Sequence, residues 1–231
     1  MSTITPEADF LTLNERFADV IGPAPKINLI LQNLEYPFAH EAGVFIESSN
    51  ELFITSNQYK DESGQTKVQI SKICLNETPV RQVEISCEEI KMGNGGVNFE
   101  EGILFCDQGS ASSPSGLYKM STSAPYRTEA IITDFYGRPF NSVNDVVIAK
   151  DGSIWWTDPI YGFEQGYRPR PQLPNQVYRH DPRDSSIRAM ADGFGRPNGL
   201  CFSPDEQTLY ITDTDHIHGD GSQDGVRAST M

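Results

Sequence analysis

Glu41, Asn144 and Asn198 are the residues of this chain whose types and settings point most directly to chemistry. Each opens a similar stretch: Glu41 in His40-Glu41-Ala42-Gly43-Val44, Asn144 in Asn141-Ser142-Val143-Asn144-Asp145, and Asn198 in Arg196-Pro197-Asn198-Gly199-Leu200. A carboxylate with two side-chain amides presents oxygen ligands only. Hard cations such as Ca²⁺ favour that shell, whereas zinc usually recruits histidine or cysteine. Taken singly, Glu41 also reads as a solvated charge at a strand start, and each asparagine as a turn residue. Their recurrence at one point of a repeated unit favours a shared metal site.

The elements that must carry these residues are β-strands. Thirteen short apolar runs, from 43–46 and 51–55 through to 199–202 and 208–212, are separated by Gly, Asn, Asp and Pro. This is the punctuation of an all-β protein. The segment 144–158 has a partner in 198–213. The leading asparagines are 54 residues apart and the closing aspartates, Asp158 and Asp213, are 55 apart. A weaker copy runs over 42–56. Units of this size, each of four strands, predict the blades of a β-propeller, with about four blades in this length. The first residues of innermost strands converge on the propeller axis, which would bring Glu41, Asn144 and Asn198 to one place. One helix is expected near the start, with Thr5 as cap, Pro6 in the first turn, and Phe10, Leu13, Phe17 and Val20 at helical spacing before Gly22 and Pro23 stop it. The domain reading is therefore a helix and lead-in over 1–24, and an incomplete propeller over 25–231.

Composition narrows the function classes. The chain has 18 Lys and Arg against 32 Asp and Glu, a formal charge of −14, which disfavours nucleic acid and anionic membranes as partners. No stretch approaches the roughly 18 apolar residues of a membrane span. The first twenty residues lack a basic segment followed by an apolar core, so a cytoplasmic location is the default expectation. Cys74, Cys87, Cys106 and Cys201 share no CxxC spacing and are expected to be reduced, with a Cys74–Cys87 hairpin pair as the alternative. Neither a Gly-x-Ser-x-Gly elbow nor a phosphate-binding loop occurs.

Several runs resemble the SMP-30/gluconolactonase/LRE-like family, in particular its fungal lactonohydrolase branch. They are Asn141-Ser142-Val143-Asn144-Asp145-Val146-Val147, the Thr157-Asp158-Pro159-Ile160-Tyr161-Gly162 segment, and Arg196-Pro197-Asn198-Gly199-Leu200-Cys201-Phe202-Ser203-Pro204-Asp205. Asn94-Gly95-Gly96 with Ile103-Leu104-Phe105-Cys106 adds weaker support. The resemblance implies a six-bladed propeller that opens sugar lactones or related cyclic esters with one divalent cation, usually Ca²⁺, with Zn²⁺, Mn²⁺ or Mg²⁺ as alternatives. It further implies that Glu41 and Asn198 coordinate the ion and that Asn144 lies beside it, touching substrate or a metal-bound water. Tyr161, in the Tyr-Gly turn, reads either as a residue lining the substrate mouth or as a core or rim aromatic. The family's proton-shuttling aspartate, in a later Pro-Asp-Gly motif, has no counterpart before Met231. The expectation is thus a C-terminally truncated lactonase whose own activity is in doubt. The alternative is a catalytically silent propeller that binds a protein or peptide partner.

Other constellations read as surface features. Asp213, Asp215, Asp220 and Asp224 lack the offsets of a calcium loop and are expected in a solvated turn. His216 and His218 alternate on a strand edge, with a surface role expected. His40 reads as a packed neutral histidine beside Glu41. Arg168 and Arg170, among prolines, are expected in an exposed loop.

Overall fold

The computed structural model describes residues 14–231, in two compact units that divide between Gln32 and Asn33. In the first unit, helix α1 (Glu15–Ile21) starts where the Asn14 side chain accepts the Arg16 N–H at 2.9 Å, and ends at Gly22, whose φ of 71° suits glycine. Thr5, Pro6, Phe10 and Leu13, on which the expected helix start rests, lie outside the described residues.

The second unit is built of antiparallel β-meanders. The first blade contains β1 (Glu41–Ile46), β2 (Glu51–Thr55), the ribbon β3 (Tyr59–Lys60) with β4 (Thr66–Lys67), then β5 (Ile70–Cys74) and β6 (Arg81–Ile85), in the order β1-β2-β5-β6. The second contains β7 (Gly93–Phe99), β8 (Gly102–Asp107), β9 (Gly116–Ser121) and β10 (Thr128–Ile132). The ribbon β11 (Asp134–Phe135) with β12 (Arg138–Pro139) leads to the third, formed by β13 (Val146–Ile148), β14 (Ile154–Asp158), β15 (Gln176–Asp181) and β16 (Ser186–Ala191), with helix α2 (Tyr161–Glu164) between β14 and β15. The strands β17 (Pro197–Phe202) and β18 (Leu209–Asp213) form the inner pair of a fourth. The expected four units are therefore three complete blades and a hairpin. Successive first strands are neighbours: β1 packs on β7, β7 on β13, and β13 on β17.

The run Ile103-Leu104-Phe105-Cys106 shows why the blades stack. Side chains alternate across a strand, so Ile103 and Phe105 join the first-blade core with Phe53 and Ile70, while Leu104 and Cys106 join the third-blade core with Phe140 and Trp156. With a blade on each face, β8 is buried along its whole length and carries no polar alternation. Trp156 stacks on Tyr178 at 5.7 Å and meets the edge of Phe140 at 5.6 Å. Each such buried side chain contributes about 1.5–3 kcal/mol relative to exposure.

A repeated carboxylate clasp closes the hairpins. Asp107 accepts the Lys91, Met92 and Gly109 N–H groups at 3.2, 3.0 and 2.9 Å. Asp158 accepts those of Asn141 and Ser142, both at 2.9 Å, and Asp213 those of Gly195 and Arg196 at 2.9 and 2.7 Å. Each carboxylate thus ties the end of a second strand to the chain entering the first. Asp213 is therefore not in a solvated turn, and Asp215 pairs with Arg196 and Arg227. In the first blade Thr55 holds the clasp position, and its carbonyl accepts the His40 N–H at 2.8 Å. Burial pushes Asp107 up to about 6 and Asp158 up to about 7 against the backbone hydrogen bonds. Arg168 is likewise not in an exposed loop. It is buried, and its guanidinium donates to the carbonyls of Ser110, Ser113, Phe140 and Asn141 at 2.7–2.8 Å, stitching the second blade to the third. All four cysteines are unpaired.

Candidate functional site

One cavity of about 450 Å³ is lined by all four candidate site residues, Glu41, Asn144, Tyr161 and Asn198. Its floor is made by the entries of the four first strands. In β17, Pro197 faces Asp213 and regular pairing resumes at Leu200; in β7, Gly93 faces Asp107 and pairing resumes at Gly96. Asn198 and Asn94 each stand two residues before that resumption, as does Asn144 before Val146. These three asparagines are register equivalents. In β1 pairing resumes at Val44, so Ala42, held at φ 51°, takes the equivalent place and Glu41 stands one residue earlier. The equivalence read from sequence is therefore corrected by one position for Glu41, though its side chain still reaches the same cavity.

Floor electrostatics favour a cation. The Asn144 side-chain oxygen is buried without a hydrogen-bond partner among the described residues, and an orphan carbonyl of this kind costs about 1–3 kcal/mol unless a ligand meets it. Asn198 donates its amide Nδ2 to the Tyr161 hydroxyl at 3.1 Å, leaving Oδ1 with no hydrogen bond among the described residues. Tyr161 is fixed further by a hydrogen bond to Thr214 Oγ1. Glu41 is half-buried; burial pushes its carboxyl up, His40 at 3.9 Å opposes this, and the charge of Asp145 adds to it. Asp145 lies just beneath, its carboxylate accepting the Val146 and Leu200 N–H groups at 2.9 and 3.0 Å. Among the described residues, Glu41 is the only carboxylate lining the cavity, and neither lysine nor arginine lines it. No group of three or more His, Cys, Asp or Glu side chains among the described residues is placed to hold a metal ion. The donor set is thus one carboxylate with amide oxygens, which fits a hard cation such as Ca²⁺.

The wall above this floor comes from the connections between second and third strands. They supply Asn57 and Gln58 from the first blade, Gln108 from the second, Tyr161 and Gln165 from the third, and Thr214 and His218 after β18. Sequence reasoning had Asn94 only as a supporting motif and passed over Gln58, Gln108 and Gln165. The match of Asn94-Gly95 to Asn198-Gly199 could have revealed the first. His218, expected at the surface, lines the cavity, whereas the His216 ring meets the Asp224 carbonyl at 2.8 Å. Behind the wall, Glu164 on α2 pairs with Arg196 and accepts the Gly219 N–H at 2.7 Å, fixing α2 to the strand that presents Asn198.

A metal-fitting floor at the convergence of propeller blades defines a class that comparison with known proteins narrows. The chain belongs to the SMP-30/Gluconolactonase/LRE-like family, whose model matches residues 91–218, more than half its length. It is 32% identical to the lactonohydrolase oryL of Aspergillus oryzae over 216 residues, covering 90% of this chain and 48% of that one. Over 99 residues it is 36% identical to a gluconolactonase of Zymomonas mobilis, covering 38% of this chain and 26% of the relative. The chain thus spans half or less of these relatives' lengths. Among solved structures, a Xanthomonas campestris gluconolactonase superimposes with a TM-score of 0.59 at 28% identity, over 81% of this chain and 57% of that one. A second, described as a putative gluconolactonase, shares the fold at a TM-score of 0.54 and 24% identity, over 71% and 57% of the two chains. No helix among the described residues is long and apolar enough to cross a membrane.

Proposed function

We propose that the cavity holds one divalent cation, Ca²⁺ by its donor set, and hydrolyses a sugar lactone or related cyclic ester. The observation that carries this reading is the buried, unpartnered Asn144 Oδ1 in the same cavity as the Glu41 carboxylate and the Asn198 amide oxygen. These three residues would hold the ion. A cation there supplies Lewis-acid polarisation of an ester carbonyl. Asp145, pinned by two backbone N–H groups, places a further negative charge under the ligands without reaching the cavity lining itself. Tyr161 has its hydroxyl fixed by Asn198 and Thr214, and so orients whatever lies against the ion. The relatives named for lactone hydrolysis support the choice of substrate.

Ca²⁺ should raise the thermal midpoint in a saturable way, since a ligand at one hundred times its Kd stabilises by about 2.7 kcal/mol. Glu41→Ala and Asn144→Ala should each remove that gain while folding normally in its absence. Acid release from glucono-1,5-lactone at constant pH should be accelerated by the Ca²⁺-loaded wild type and not by Glu41→Ala. Identical melting of wild type and both variants with Ca²⁺ would remove the metal site; equal acid release would remove the hydrolase.

A further inference from the structure

The wall of the cavity carries a hydrogen-bonded chain of uncharged side chains drawn from three blades. Gln58 Nε2 donates to Gln165 Oε1 at 2.6 Å and to the Tyr167 hydroxyl at 3.2 Å, and Tyr167 in turn donates to Gln108 Oε1 at 2.7 Å. The residues joined are up to 109 positions apart in sequence, so the wall is held by the fold rather than by one loop. Its remaining valences are complementary: Gln58 Oε1 can accept, and the Nε2 groups of Gln108 and Gln165 can donate. None of these three atoms has a hydrogen-bond partner among the described residues, although all three side chains line the cavity. Amides offering both a donor and an acceptor match hydroxyl groups, which need both.

The surroundings exclude the opposite kind of ligand. Among the described lining residues, a phosphate or carboxylate on the substrate would meet no lysine or arginine, only the His40 and His218 rings and uncharged side chains, and would face the Glu41 carboxylate with Asp145 beneath it. One cation at the floor is already committed to the ester carbonyl in the reading above. A second anionic group at the wall would be desolvated against neutral amide donors, with no lysine or arginine to neutralise it. We propose that Gln58, Gln108 and Gln165 are specificity-determining residues that select neutral, hydroxyl-bearing lactones and reject phosphorylated or carboxylate-bearing ones. This rests on the lactone reading of the same cavity and adds to it the sign of the substrate and the residues that read it.

The test is calorimetric and needs no turnover. Glucono-1,5-lactam, a neutral and hydrolysis-resistant analogue, and its 6-phosphate are titrated separately into the Ca²⁺-loaded chain. Wild type should bind the lactam, and bind the 6-phosphate at least about tenfold more weakly, because an unpaired or like-charge contact costs that much or more. Gln58→Lys should narrow or reverse the ratio by strengthening the 6-phosphate. Gln165→Lys, whose side chain is exposed and tolerant of change, should do the same from the far end of the chain. Equal binding of the two ligands by wild type, or an unchanged ratio in both lysine variants, overturns the selectivity while leaving the lactone reading intact. Binding of neither ligand takes down that reading and this inference together.

Discussion

The floor and the wall of the cavity are made in different ways. Glu41, Asn94, Asn144 and Asn198 stand at the entries of first strands, where neighbouring first strands press on β7 and β13 from both sides and on β1 and β17 from one. The wall residues Gln58, Gln108 and Gln165 stand on the connections between second and third strands, and only side-chain hydrogen bonds join them. On the floor, position is dictated by main-chain pairing and burial, so a change that displaces the backbone there is paid twice, in stability and in ligand binding. On the wall the side chains are replaceable without disturbing a strand. Loops carried on a rigid scaffold are where recognition can vary at low structural cost.

The largest effect should come from Gly95→Ala. A Cβ at Gly95 would lie 2.6 Å from both the Asn144 carbonyl oxygen and an Asp145 carboxylate oxygen, while the Gly95 N–H donates to that same Asn144 carbonyl at 2.8 Å. The colliding carbonyl is backbone and Asp145 is pinned, so neither can swing aside. Denaturant unfolding should show a loss of about 3 kcal/mol, near the upper end for overpacking. Because the displaced residues carry the metal-fitting oxygen, the Ca²⁺-dependent gain in thermal midpoint should vanish as well. Gly199→Ala is the matched control, since its nearest contact would be 3.4 Å from Thr212 Oγ1. If Gly95→Ala lost stability and kept the Ca²⁺ response, the coupling of fold and site on the floor would be broken.

A smaller effect is expected from pH, through the clasps that hold the floor in place. Asp158 has a folded value of about 7 and Asp107 of about 6, both above the ordinary value of 3.8. A carboxyl whose folded value is raised stabilises the fold below its unfolded value, and that contribution is lost as pH rises through the folded one. The window therefore runs from about pH 4 to pH 7, and Asp158 alone contributes a fall of about 2 kcal/mol between pH 5 and pH 7. Thermal midpoints across this range should decline with pH, and Asp158→Asn should flatten the decline. An unchanged slope in the variant would place its source elsewhere.

How much of this was legible in the sequence follows the same division. The thirteen strand runs fall on observed strands, because two-sided burial writes itself as apolar runs between turn residues. The run over 67–75 contains two elements, β4 and β5, since the Val68-Gln69 step leaves the ribbon before the blade strand begins. The two-residue ribbon strands β3, β11 and β12 fall outside these runs, and the one blade strand that escaped was β7, whose Gly93-Asn94-Gly95-Gly96 start has the composition of a turn. Its glycine is there because the third blade comes too close for a side chain, a tertiary fact with no local signature. Asn144 and Asn198 were found because the repeat carries them, and Asn94 was missed as a site residue with its strand. The buried Arg168 and the wall glutamines could not be found in this way. Their partners lie 27 to 109 residues away, and a glutamine in a loop has the same composition whether it faces solvent or a ligand.

The smallest effect, and the sharpest test of the division, is Gln165→Ala. Gln165 is exposed, and its side chain is joined to the wall through Gln58 alone among the described residues. Removing it leaves every strand pairing and every floor oxygen in place, so stability should change by less than about 0.5 kcal/mol, as for an ordinary surface substitution. The Ca²⁺-dependent rise in thermal midpoint should match that of wild type. Only the affinity for a neutral hydroxyl-bearing ligand should fall, because one amide donor and one of the two anchors of Gln58 are lost together. Parallel melting curves with and without Ca²⁺ in wild type and variant measure the first two quantities on the same sample. A loss of the Ca²⁺ response in Gln165→Ala would mean that the wall holds the floor in register, and that the two regions act as one.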